Sequence, residues 1–110
     1  MTLPNGDRAV VDIVKIRDYC LDAGHPQGRY KARVFRSALR LTQSDASVLW
    51  DALLRAAGTE EATPGVADEF GTRYALDFEM VHGSRRAVVR SGWIILNGER
   101  APRLTTCYVR

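Results

Sequence analysis

The chain has 110 residues, 45% of them apolar and 26% charged, a size and balance that suit one soluble domain with a modest core. Its net charge is +3, carried by Arg far more than by Lys, which permits nucleic acid or an acidic surface as a partner without demanding either. No apolar run approaches the ~20 residues of a membrane span, no basic and apolar leader opens the chain, and two separated His and two separated Cys give no metal spacing.

Residues 1 to 8 read as a loose arm that turns at Asn5-Gly6, and residues 9 to 13 as a lead-in or a short strand. Asp12 is placed to cap a helix over about 13–21, where Ile13, Ile16 and Cys20 or Leu21 recur at helical spacing. Gly24 and Pro26 break it. A second helix is predicted over about 28–40. Ala32, Phe35, Ala38 and Leu39 form its apolar stripe, and Arg29, Arg33, Arg36 and Arg40 its opposite side. Thr42-Gln43-Ser44-Asp45 resembles a capping box with Asp in place of Glu. It opens a third helix in which Ala46, Leu49, Leu53 and Ala56 face inward and which Gly58 follows. Residues 58–70 are acidic, hold Gly and Pro, show no period, and read as a loop.

The second half changes period. Tyr74, Leu76, Phe78 and Met80 alternate with Arg73, Asp77 and Glu79, which is the pattern of a half-buried strand. Gly83-Ser84 suits a two-residue hairpin turn. Paired residue numbers then sum to 167, so Tyr74 meets Trp93, Phe78 meets Val89 and Asp77 meets Arg90. Residues 87–96 and 103–109 are the second and third strands. On the last one, Arg103, Thr105 and Cys107 share one face and Leu104, Thr106 and Tyr108 the other. The expected fold is α+β, a single domain over 1–110. Three helices in residues 12–57 pack on one face of an antiparallel meander over 72–109, with three strands or a fourth from residues 9–11. The two cysteines read as reduced, buried thiols and the protein as cytoplasmic.

The candidate chemistry starts in HPQGRYKARVF, residues 25–35. Arg29, Lys31 and Arg33 crowd a helix start, where a cation is disfavoured by about 0.3–1 kcal/mol. Lys31 falls about 40° from Phe35 around the helix, on its apolar side. It is either a lysine whose stem covers the core edge or an ammonium held for a phosphate. His25 either caps the second helix or transfers protons near neutral pH. His82 in the hairpin reads as solvated. Arg90 either pairs with Asp77 or stabilises charge on a phosphorus. Trp93 reads as core rather than as a stacking platform. The arginine stripe is either a solvated face or a track for a phosphate backbone or an acidic partner. No metal or cofactor is expected.

Lys15, Ile16, Tyr19 and Leu21, the block His25-Pro26, Gly28, Lys31-Ala32 and Phe35, then Val89 and Trp93, and Pro102-Arg103-Leu104 with Thr106 carry a resemblance. They resemble a family of small bacterial domains of uncharacterised function, with Cys20 as the one mild departure. Its members stand alone or form C-terminal cassettes of toxin-like and phage-related proteins. That setting is similar to the ribonuclease toxins grouped with barnase, the uridylate endonucleases, the colicin nucleases and the RelE-type toxins. The resemblance implies helices followed by an antiparallel sheet with a working surface on the sheet. It also implies metal-independent RNA cleavage, and for that reaction the chemistry of the residues themselves nominates His25, Lys31, Arg90, Thr106 and Tyr108 as catalytic. Arg29, Arg33, Arg36 and Arg103 would then bind RNA phosphates. The competing reading is a non-catalytic module that docks an acidic protein. Convergence of His25, Lys31 and Arg90 in one cleft would favour the enzyme, which fails if they point apart.

Overall fold

A computed structural model describes all residues, 1–110. Asp12 caps the first helix as expected, its Oδ1 accepting from the Val14 N–H at 2.9 Å. That helix, α1, spans Ile13–Lys15 and continues as a π-helical turn over Ile16–Cys20. Helix α2 spans Arg29–Leu39 and buries Ala32, Phe35 and Leu39. The predicted capping box forms, with the Thr42 N–H donating to Asp45 Oδ2 at 2.9 Å. It leads through a short 3-10 turn into α3, Ala46–Thr59. Gly58 therefore lies within the last turn of α3 rather than after it.

The stretch 58–70 is not a loop. After α3 it forms strand β1, Ala62–Ala67, whose residues are all exposed except Ala62. Strands β2 (Gly71–His82), β3 (Arg85–Leu96) and β4 (Arg103–Val109) complete a four-stranded antiparallel sheet in the order β1-β2-β3-β4. The fourth strand thus comes from β1. Residues 9–11 supply only an isolated parallel bridge between Val10 and Arg103.

The β2–β3 hairpin keeps the predicted register without a break, from His82 opposite Arg85 to Gly71 opposite Leu96. Phe78, Leu76, Val89 and Trp93 are buried beneath the helices with Phe35, Leu39, Leu49 and Leu53. Ser91 is the one buried polar residue. Its hydroxyl donates to the Leu76 carbonyl at 3.0 Å and accepts from the Trp93 indole N–H at 2.8 Å, so burial leaves no orphan. Trp93 is core, as expected.

Strand β4 departs from simple alternation. The register shifts between Gly92, which meets Thr106, and Trp93, which meets Leu104. Thr105 is the extra residue of this bulge, and Leu104 joins Cys107 on the helix-covered face. Thr106 and Tyr108 are left on the open face beside Arg90. His82 is also not solvated in the way expected. Its Nδ1 lies 2.7 Å from the Leu39 carbonyl, and because that oxygen can only accept, Nδ1 donates and ties the hairpin to the end of α2.

Candidate functional site

The approach to α2 explains how a cation-rich start is tolerated. Gly28 precedes the helix with no side-chain cap, and the first turn holds no acid. His25 substitutes for the cap. Its Nδ1 accepts from the Gln27 and Gly28 N–H groups, both at 3.0 Å, and its carbonyl accepts from the Arg29 N–H at 3.0 Å. The ring stands edge-on to Tyr19, centroids 4.7 Å apart. Gly28 lies so close to the Tyr19 carbonyl that a Cβ would collide with it. The spacing of His25, Gly28 and Tyr19 is therefore first a packing device. It also fixes the neutral ring's proton on Nε2, which has no partner in the chain.

One turn on, Lys31 leaves the helix towards edge strand β4. Its Nζ donates to Thr106 Oγ1 at 3.2 Å and stands 5.1 Å from the centre of the Tyr108 ring. It takes part in none of the chain's ion pairs. Gly92, opposite Thr106, keeps the site crowded: a Cβ there would stand 3.0 Å from Thr105 Oγ1 and 3.2 Å from Thr106 Cγ2.

Tyr108 is paired across the ladder with Arg90, which is paired with Asp77, so the three form a row on the open face. Arg90 holds Asp77 in two bonds of 2.8 and 3.0 Å, and Arg110 adds a third at 2.7 Å. The Arg90 hydrogen bond, helped by that of Arg110, holds the Asp77 carboxyl below the usual carboxylate range. Asp77 in turn pushes Arg90 up, and the Tyr108 hydroxyl adds to the effect. Two guanidiniums against one carboxylate leave this group with a net positive charge.

Lys31, Thr106, Tyr108 and Arg90 thus come together at the β4 side of the open face. His25 does not join them through any hydrogen bond or ring contact; its partners all lie between residues 19 and 29. Arg103 is also elsewhere, paired with Glu99 at 3.0 Å. Arg29 donates to the Pro26 carbonyl at 2.7 Å and to the Tyr30 hydroxyl at 3.1 Å.

Arg33 and Arg36 line a concavity of about 680 Å³ together with Arg40, Arg85, Ser37 and Thr42. No carboxylate lines it, and none of the four arginines is in an ion pair. The helical spacing of Arg33, Arg36 and Arg40 signalled three of them. Arg85, which the hairpin turn brings across from the sheet, carried no local signal.

Beneath the site, Cys107 Sγ donates to Cys20 Sγ at 3.6 Å, both thiols free and buried. The hydrogen bond from Cys107 lowers the Cys20 pKa, while the same contact and burial raise that of Cys107. No group of His, Cys, Asp and Glu is arranged to hold a metal ion. No helix is long and apolar enough to cross a membrane.

A family model described as a domain of unknown function, DUF6883, matches residues 2–110, and the chain belongs to that family. No curated protein matches the chain. Among solved structures, a chain of a contact-dependent growth inhibition toxin–immunity protein complex from Klebsiella pneumoniae 342 is similar in fold. The TM-score is 0.65 at 13% identity, over 96% of each chain.

Proposed function

We propose that this DUF6883 domain works in a toxin–immunity type of system, and that its own chemistry is metal-independent cleavage of RNA at the β4 edge of the open sheet face. One observation carries this reading. The Lys31 ammonium is held between Thr106 and Tyr108, unopposed by any carboxylate, next to a second group with net positive charge. That is an arrangement for an anion. The likeness of fold to a chain of a toxin–immunity complex supports the setting.

In this mechanism the ribose 2′-OH gives its proton to water as it attacks the adjacent phosphorus, and the P–O5′ bond breaks as the leaving O5′ takes up a proton from water. The products are a 2′,3′-cyclic phosphate and a 5′-hydroxyl. Lys31 and Arg90 offset the charge that builds on the phosphoryl oxygens, and Thr106 and Tyr108 orient the group. His25 bonds to none of these groups, so it enters this mechanism only as a hydrogen-bond donor, through its free Nε2–H, to a leaving oxygen that the bound RNA carries towards it. Arg29, Arg33 and Arg36 hold flanking phosphates.

The second reading is a non-catalytic module that docks an acidic protein. The acid-free concavity of Arg33, Arg36, Arg40 and Arg85 favours it. So does the self-contained bonding of His25 and Arg90, which leaves each with a structural purpose.

Incubation of the purified protein with total tRNA in EDTA separates the two. Cleavage that survives chelation, yields cyclic phosphate ends and is lost in Lys31→Ala establishes the ribonuclease. Intact tRNA at high concentrations of folded protein overturns it and leaves the docking module.

A further inference from the structure

We infer that the cleft between Tyr30 and Tyr108, above Lys31, is a slot for one unpaired nucleobase of a single-stranded nucleic acid. The inference rests on the ribonuclease reading and names its substrate class.

The cleft holds about 190 Å³ and is lined by Tyr30, Lys31, Val34, Tyr108 and Val109. Sites for whole drug-sized ligands run to about 300–1,000 Å³, so this one takes a single group. Its walls are aromatic and aliphatic, and its one charged lining residue is Lys31. Tyr30 is 63% exposed and Val34 43%, so neither belongs to the core. Burial does not explain an aromatic ring there.

Charge narrows the occupant. The guanidinium of Arg29 lies 4.7 Å from the Tyr30 ring centre, and that of Arg33 lies 5.9 Å away. With Lys31, three cations surround the slot, and none of them is in an ion pair. A flat apolar ring attached to anions on both sides meets these demands together. An unpaired base between two phosphates is that ligand, and aromatic platforms along a basic track are how single strands are held. A base within a duplex presents its edge, not its face, and cannot enter. An acidic protein would need a far larger contact, on the order of 1,000 Å², than this slot provides.

The test uses a labelled single-stranded 2′-deoxy oligonucleotide, which binds but lacks the 2′-OH that cleavage consumes. Anisotropy should show tighter binding to the single strand than to the same sequence as duplex. Tyr30→Ala should weaken it roughly five- to hundred-fold, with Tyr30→Phe close to wild type and melting unchanged. Equal affinity for duplex, equal affinity for a polyglutamate peptide, or no loss in Tyr30→Ala overturns the slot. Tyr30-dependent binding without RNA cleavage would sink the ribonuclease and keep the slot. RNA cleavage indifferent to Tyr30→Ala would do the reverse.

Discussion

Lys31 Nζ donates to Thr106 Oγ1 across 75 positions of sequence, so one hydrogen bond joins the first turn of α2 to the last strand. The pair is partly buried and faces no carboxylate. Removing the ammonium should lower phosphodiester cleavage by about 10²–10³-fold, the range for a lost donor to a developing oxyanion. Lys31→Met keeps the apolar stem, so its thermal midpoint should stay near that of the wild type. A Lys31→Met protein that melts normally and still cleaves tRNA would show that the ammonium is structural.

His25 accepts two backbone N–H groups through Nδ1, and a carboxylate oxygen can do the same in an Asx turn. His25→Ala should therefore cost about 0.5–1 kcal/mol, the low end for a lost cap because water reaches the loop. His25→Asp should recover that stability but have no Nε2–H to donate. Denaturant midpoints and tRNA cleavage, measured on both variants, separate the two roles. Full cleavage by His25→Asp would reduce His25 to a cap.

Local patterns made much of this fold legible. The β2–β3 register followed from one turn and one alternation because both strands are half-buried, so only one pairing puts Phe78 and Leu76 inside. Strand β1 was hidden for the opposite reason. It is an edge strand with Pro64 and Gly65 inside it, and its exposed residues show no alternation. Thr106 was misgrouped with Leu104 because the Thr105 bulge changes which side chains share a face. Of the site, Lys31 was readable as a cation on the wrong side of its helix. Its meeting with Thr106 and Tyr108, and that of Arg85 with the arginine stripe, depend on contacts between distant segments that no local period records.

Asp77 gives a signed dependence on pH. Its carboxyl is held down in the folded state by Arg90 and Arg110, while the unfolded chain returns it to an ordinary value of about 3.9. A depressed folded pKa contributes stability that is fully present above the unfolded value. That stability is lost as pH falls through the folded one. Urea midpoints of the wild type should therefore drop below about pH 4, and Asp77→Asn should flatten that limb while lowering stability near neutral pH. Parallel curves for the two proteins would show that the row contributes no pH-dependent stability.

The two thiols beneath the site stand 3.6 Å apart, against about 2.05 Å for a disulfide bond. A shift of this size is within reach if the chain folds in the presence of a small disulfide oxidant. Refolding with oxidised glutathione should join Cys20 to Cys107, each protein disulfide converting one glutathione disulfide to two glutathione thiols. A loss of two mass units and one cross-linked peptide would report it. Two free thiols after refolding would mean that the packing of the Ile16–Cys20 turn against β4 holds the sulfurs apart.

Arg40 ends α2 in the left-handed region, at φ 55° and ψ 33°. A side chain there crowds its own backbone, by about 1–2 kcal/mol in the worst case, and glycine is the residue helix ends favour in this conformation. Arg40→Gly should therefore raise stability, by about 0.5–1 kcal/mol once the greater freedom of unfolded glycine is counted. The same change removes one of the four arginines around the acid-free concavity, so it should weaken binding of an acidic protein or a polyanion there. Denaturant midpoints and polyglutamate affinity, measured on one variant, should move in opposite directions. A variant that gains stability and binds unchanged would remove Arg40 from the docking surface, and one that loses stability would show that its side chain has a role in the fold.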